Sequence, residues 1–417
     1  VIAAALAALL VVAAPAVGVR ADVAPQAEAG FTLAQALAAM REGHPLLGYA
    51  AARADAAEAV TVAARLWENP ELNADYYVGV RESSYDRAGS AVVTVGQWFP
   101  LTGAPRKRGE IARHESQAVA HDNRRLVRAL ELEVEAAMLR LAGVLQEVEI
   151  QRGVLADLLE SRRIVEARVA SGVAPQYDAT RIGLAVAEAE ANVRSAEASA
   201  AALRGELDVA VGPGAERLRG APQIDLFSHP PLPPVEELRD RMLHERPDLA
   251  AAAARVKAAR EGVSLARREV FPGIGVRVGF GFGQGPGQFD IGGGLSVPLP
   301  VLSRGQGFID RARAESRASE SLARSLAVAA EQRLRAAHEA ARQRREASQR
   351  HVEMNRDAAA ALRRQAAAGY QDGRLSVLEL ADASLSVRDM RLRDLELALA
   401  ARLAELELRA VVEVGRE

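Results

Sequence analysis

The sequence repeats its own punctuation at an offset of 200 to 203 residues, and this internal duplication limits the fold more than any single motif does. His44-Pro45-Leu46 is echoed by Arg246-Pro247-Asp248, Asn69-Pro70 by Phe271-Pro272, and Phe99-Pro100 by Leu299-Pro300. Further along, Glu115-Ser116 returns as Glu315-Ser316, Gly172 as Gly373, and Val211-Gly212 as Val414-Gly415. An ordered series at near-constant spacing predicts two copies of one unit, over residues 22–211 and 236–415. Between them, residues 212–235 hold Pro213, Pro222, Pro230, Pro231, Pro233 and Pro234, which cannot continue a helix and predict a connector.

Each copy reads as helix, two strands, then a long helical hairpin. Helical patterns over residues 31–66 and 235–270 each end shortly before the proline that opens a strand pair. From Leu72 the even positions Leu72, Ala74, Tyr76, Val78 and Val80 are apolar, with Glu71, Asn73, Asp75 and Arg81 between them. The second copy alternates likewise, with Val276, Val278, Phe280 and Phe282 against Arg277 and glycines. Period two predicts strands at about 71–81, 91–99, 273–283 and 288–297, the segment 91–99 alternating least cleanly. Strands of about ten residues with one apolar face suit a tilted transmembrane barrel, although a half-buried sheet of a soluble domain alternates in the same way.

The hairpins are predicted over about 106–211 and 305–413, with first arms from Arg106 to Ala170 and from Gly305 to Ala368. At 1.5 Å per residue each arm runs for roughly 100 Å. Apolar residues recur at Leu126, Leu130, Val134, Met138, Leu141, Leu145 and Val148, and the last helix sets Leu378, Leu385, Leu392, Leu399 and Leu406 at intervals of seven. A seven-residue period predicts a coiled-coil seam. With 49% hydrophobic, 26% charged and only 4% aromatic residues, the composition favours long ordered helices packed by small side chains.

Residues 1–21 read as a secretory signal, because Ile2 to Ala14 are apolar and Val19-Arg20-Ala21 offers small residues for cleavage. The chain opens at Val1 without Met or a basic leader, which predicts a start further upstream. The apolar run is too short for a hydrocarbon core that needs roughly 20 helical residues, so any membrane crossing is expected to be a β-barrel.

Several chemistries find no support. Lys plus Arg is 53 against 55 for Asp plus Glu, a formal charge of −2, so there is no bulk attraction for nucleic acid. The basic clusters Arg106-Lys107-Arg108 and Arg342 to Arg345 lack aromatic neighbours for base stacking. Cysteine is absent, and none of the seven histidines form an i, i+4 pair for a helical metal site. No phosphate-binding loop is present, and the glycines from Gly279 to Gly287 miss the dinucleotide spacing. No nucleophile with a spaced base stands out, so the expectation is a protein without catalytic residues, cofactor or metal site.

A signal peptide, two strand pairs, two long hairpins and a proline-rich connector together resemble the TolC family of outer-membrane efflux channels over essentially the whole mature chain. Locally, Ala368-Gly369-Tyr370 and Gly373-Arg374-Leu375-Ser376 resemble the turn between that family's last two helices, and Gly172-Val173-Ala174-Pro175 occupies the same place in the first copy. The resemblance implies a mainly α homotrimer whose four strands per chain close a twelve-stranded transmembrane barrel above a periplasmic α-barrel of coiled-coil helices. It implies adaptor contacts at Gly172, Val173, Ala174, Pro175, Gly373, Arg374, Leu375 and Ser376. It implies an acidic entrance ring at Glu379 and Asp382, which follow Gly373 by six and nine residues, and a closing network that includes Asp178 and Tyr370. At the position of the family's arginine in that network stands Leu375, and the adjacent Arg374 is the residue expected to join the network in its place. Repeated carboxylates in a narrow pore favour cations and bind multivalent ions; read as ordinary residues, the two acids are a solvated helix face.

The sequence thus predicts a passive outer-membrane exit duct, partnered by a periplasmic adaptor and an inner-membrane pump. The stretch Leu101 to Glu115 is similar to the heavy-metal cation branch. Family lipoproteins carry an N-terminal cysteine, absent here, so anchoring in outer-membrane lipid rests on the barrel. The alternative is a periplasmic coiled-coil adaptor or structural protein with no pore; such an adaptor is expected to carry one hairpin, whereas this chain has two.

Overall fold

The computed structural model describes residues 30–79, 88–271, 273–282 and 289–412. The predicted signal at 1–21, the strand-end positions Val80, Arg81, 283 and 288, the loop glycines at 283, 285 and 287, Pro272, and the closing Val414-Gly415 lie outside the described residues.

The first copy runs α1 (Leu33–Gly43), α2 (Pro45–Ala63), β1 (Glu71–Gly79), β2 (Ala88–Phe99), α3 (Ala104–Ala170) and α4 (Gln176–Val211). The second runs α5 (Val235–Glu245), α6 (Pro247–Arg268), β3 (Ile274–Phe282), β4 (Phe289–Ser296), α7 (Gln306–Asn355), α8 (Ala358–Gln371) and α9 (Val377–Val412). Each opening helical region is split where a proline starts a new helix, at Pro45 and Pro247, because proline tolerates the first turn and not the interior. The duplication extends to backbone geometry. Gly103 and Gly305 enter the long helices at φ +69° and +70°, and Gly172 and Gly373 turn the hairpins at +72° and +71°.

The connector is a single 3-10 turn, Gly212–Arg217, followed by extended chain that docks on the helices. Leu218 and Leu226 are buried, and the buried His229 ring lies 3.0 Å from Glu405 on α9. Arg402 donates to the same carboxylate at 2.9 Å. Arg409 on α9 pairs in bidentate fashion with buried Glu135 on α3 at 2.5 and 2.9 Å, tying the two copies together.

The core is a chain of small clusters along the bundle. One gathers Phe31, Met40, Leu130, Val134, Met138 and Leu207. Another at the hairpin tips joins Leu158, Val165, Ile182, Val186 and Tyr370. Alanines let helices approach closely, as where Ala118 of α3 meets Ala251 and Ala254 of α6. The basic clusters are consumed locally: Lys107 reaches Glu110 and Glu261 at 2.6 Å each, and Arg342 pairs with Glu339 and Glu346.

Two expectations change. The arm predicted from Gly305 to Ala368 is interrupted at Arg356 and Asp357, between α7 and α8. Asn355 and Asp357 flank the break, residue types with low helix propensity; the Asn355 amide bonds the His351 ring at 3.0 Å, and the Asp357 backbone carbonyl accepts from Ala361 N–H to start α8. The leucine line of α9 is also not its buried centre. Leu378 is 52% exposed and Leu385, Leu392 and Leu399 are half-buried, with Leu406 alone of the line buried, whereas Leu380, Val387, Leu395, Ala398 and Leu408 are buried. Because α9 packs against both α7 and α3, its covered arc is wider than one seam and lies beside the leucines.

The four strands form one antiparallel sheet in the order β1-β2-β3-β4, so the copies meet at β2 and β3. The register sorts the side chains. Leu72, Val95, Val278 and Ile291 share one face; Asn73, Thr94, Gly279 and Gly292 form a row on the other. Segment 91–99 alternates poorly because Val92 and Trp98 lie on the polar face and Gln97 on the apolar one, where its amide donates to the Glu68 and Trp98 carbonyls at 3.0 and 2.8 Å. Nothing among the described residues covers the apolar face: Leu72, Tyr76, Ile291 and Leu295 are each about 70% exposed. Phe280, Phe282 and Phe289 cluster at one end and Trp67 meets Phe99 at the other. An uncovered apolar band bounded by aromatics is what a lipid-facing barrel strand presents, and a soluble sheet would need a second layer.

Gly273 opens β3 at φ +151°, and a Cβ there would sit 2.2 Å from the Phe99 carbonyl oxygen. Gly273→Ala should therefore destabilise by roughly 2 kcal/mol or more, seen as a lower midpoint of thermal unfolding.

Candidate functional site: the hairpin tips

The tips are built from one backbone template used twice. In the first, Val173 N–H and Ala174 N–H donate to the Arg168 carbonyl at 2.9 and 3.2 Å; in the second, Arg374 N–H and Leu375 N–H donate to the Gly369 carbonyl at 2.8 and 3.0 Å. Both close their helix with left-handed glycine, the arrangement that satisfies terminal carbonyls. Side chains then differ. Pro175 precedes α4 with no side-chain cap, while Ser376 caps α9.

Ser376 and Glu379 make a capping box. The Glu379 carboxylate accepts from Ser376 N–H at 2.7 Å and from its hydroxyl at 2.8 Å, and Ser376 Oγ accepts from Glu379 N–H at 3.3 Å. These bonds hold the Glu379 carboxyl below its ordinary value, so it is fully ionised at neutral pH. Asp382, one turn on, is exposed. Both acids therefore sit at the positive N-terminal end of α9, on a face that no other element of the described chain covers.

Tyr370 is buried to 3% exposure, and its hydroxyl has no partner among the described residues. Burial pushes its phenol above the ordinary value, nearby Arg168 opposes that, and Asp178 adds to it. The tip thus brings Asp178 and Tyr370 together. Arg374 instead pairs with Asp372 at the exposed turn. The arginine that meets Tyr370 is Arg168: its guanidinium lies 4.9 Å from the ring centroid, and Nη1 donates to the Tyr370 carbonyl at 2.6 Å. A second cross-hairpin pair joins Arg363 of α8 to Asp157 of α3.

Sequence reasoning missed Arg168. The available signal was a cation in the last turn of α3, four residues before Gly172, at the place that Gly369 takes in the other copy. There a Cβ would press on Leu375 at 2.7 Å, so the second tip has no room for an arginine and fills the space with leucine.

Gly172, Val173, Pro175, Gly373, Arg374 and Ser376 are exposed, and Ala174 and Leu375 are half-buried. Val173, Tyr177 and Leu378 add apolar surface there, each more than half exposed. Among the described residues of one chain, no group of three or more His, Asp or Glu is placed to hold a metal ion. No described helix is long and apolar enough to cross a membrane.

Ser376→Ala should speed hydrogen exchange in the first turn of α9. The Glu379 contribution is present above the ordinary carboxylate range and is lost as pH falls through its depressed value. The difference in exchange between variant and wild type should accordingly narrow under acid.

A family model described as outer membrane efflux protein matches the chain twice, over residues 36–212 and 238–412. No curated protein matches the sequence. Among solved structures, the outer-membrane channel OprN is 22% identical, with 92% of this chain and 90% of that one covered and a TM-score of 0.76. VceC from Vibrio cholerae is 19% identical over 92% and 97% of the two chains, with a TM-score of 0.74. CusC is 17% identical over 92% of each, with a TM-score of 0.73.

Proposed function

The chain belongs to the outer membrane efflux protein family, and on that premise we propose that it is the exit duct of a tripartite efflux system, built as a homotrimer. Family membership makes it a passive outer-membrane efflux channel and not an enzyme, and sets aside the pore-less adaptor. The observation that carries the trimer is the sheet. β1 and β4 are each paired on one side only, and unpaired backbone groups in lipid cost several kcal/mol each. Three copies, pairing β4 of one with β1 of the next, close twelve strands and leave no edge.

In this reading the hairpin tips form the periplasmic entrance. Glu379 and Asp382, repeated by threefold symmetry, make an acidic ring that attracts cations. The exposed apolar residues Val173, Tyr177 and Leu378, with the turns at Gly172–Pro175 and Gly373–Ser376, receive a periplasmic adaptor. An inner-membrane pump supplies the energy. Of the two cargo classes, heavy-metal cations and drugs, the acidic entrance suits cations. Arg168 and Tyr370 hold the second hairpin tip against the first, and Arg374 pairs with Asp372 at the exposed turn.

Native mass spectrometry of the detergent-solubilised protein should give the mass of three chains; a monomer would sink the barrel. In planar bilayers the trimer should give current steps of one size, with cation preference reduced in Glu379→Gln/Asp382→Asn. Unchanged preference there would remove the acidic ring. Arg168→Ala loses a stacked, hydrogen-bonded guanidinium worth about 1–3 kcal/mol, and should raise conductance several-fold. Arg168→Lys should not restore the wild-type value, because a point charge lacks the planar stacking.

A further inference from the structure

Arg277 is the only cation on the small, polar face of the sheet among the described residues. That face carries Glu71, Asp75 and Asp290 as its acids, so the described wall is net negative in each chain. Arg277 stands in the row Glu71, Gly96, Arg277, Gly294, which crosses all four strands. Its neighbours along β3 on the same face are Gly275 and Gly279. Glycine therefore surrounds it on four sides. A Cβ on Gly96 would lie 3.2 Å from Arg277 Cγ, so the side chain leans across the space that this glycine leaves bare.

Glycine inside a strand weakens the sheet and marks a place where something must come close or space must stay open. Here the open space belongs to one long cationic side chain, which is exposed in the chain. A barrel of about eight strands is filled by its side chains and one of about sixteen keeps an aqueous channel. At twelve strands, side-chain size and charge on the inner face decide what passes. Threefold repetition turns Arg277 into a ring of three guanidiniums, each about two strand spacings, roughly 10 Å, from a Glu71 in its own row.

We propose that Arg277 tempers the ion preference of the transmembrane barrel: its ring is an anion-attracting collar in an otherwise acidic wall, and it lowers the cation preference that the acids of that wall would set. The inference rests on the duct reading above. It is separate from the acidic entrance, with which it lies in series and to which it is opposite in sign.

The test is the reversal potential of the full mature trimer in planar bilayers under a KCl gradient. Removing the guanidinium charge in Arg277→Gln should raise the K⁺/Cl⁻ permeability ratio about two-fold, and Arg277→Glu should raise it further. Arg277→Lys should keep the wild-type ratio, and Glu71→Gln should lower it. The differences should be largest near 0.01 M salt, where the Debye length is about 30 Å, and should fade near 1 M, where it is about 3 Å. Steps of normal size with an unchanged ratio in Arg277→Glu would overturn the proposal. So would an equal shift in Arg277→Lys, because that would mark a packing effect without a charge effect. Absence of steps from wild-type trimer would remove the duct itself, and this inference with it.

Discussion

Backbone hydrogen bonding in lipid is the constraint on which the molecule depends. A sheet of four strands has two open edges, and its exposed apolar face has no layer to pack on among the described residues. Hydrocarbon offers no partner to an unpaired N–H or C=O. Other copies of the same chain are the self-consistent remedy, and closure by symmetry then multiplies every side chain by three. A single charge per chain, trivial on a solvated surface, becomes a ring around an axis. In the duct proposed above, isolated acids on α9 and one arginine on β3 are repeated around that axis.

Duplication supplies the scaffold, and departures from it supply the site. The two hairpin turns share hydrogen bonds offset by 201 residues, from Val173 to Arg374 and from Ala174 to Leu375. On this common backbone Arg168 faces the opposite hairpin, where its equivalent Gly369 has no side chain and Leu375 fills the room. Pro175 stands where the second tip has Ser376, so of α4 and α9 the capping box belongs to α9, and it lowers the Glu379 carboxyl. Two identical tips would pack symmetrically against each other; unequal ones let one hairpin grip the next.

Much of this was legible in the sequence, for definite reasons. The duplicated prolines and glycines mark helix ends and turns because their backbone limits are local, and period-two alternation along Leu72 to Tyr76 reports a two-faced strand whatever it packs against. What stayed hidden was relational. The break at Arg356-Asp357 falls between two poor helix formers, Asn355 and Asp357, in an otherwise helical context. The offset of the α9 leucines from its buried stripe depends on α9 serving two neighbours at once. Arg168 pairs across the fold with a residue 202 positions away, and a solvated arginine near a helix end looks the same in sequence. The gap left by Leu375 at the family's arginine position was visible, but the residue meeting Tyr370 lies on another helix.

The strength of the tip contacts fits a passive duct. A cation–π stack of about 0.5–2 kcal/mol and a charged hydrogen bond of about 1.5–3 kcal/mol hold Tyr370 to Arg168, with the Arg363–Asp157 pair alongside. Moving a two-state element from one part in a hundred to ninety-nine takes about 5.5 kcal/mol of differential binding. In the proposed assembly, an adaptor docking on the exposed apolar residues of the tip would supply energy of that order through a few buried side chains. A tip held by a large apolar interface would be too stable for docking to shift, and one held by solvated ion pairs alone would leak. Two arginines anchored across the hairpins, one of them stacked on a buried tyrosine, fall between these limits.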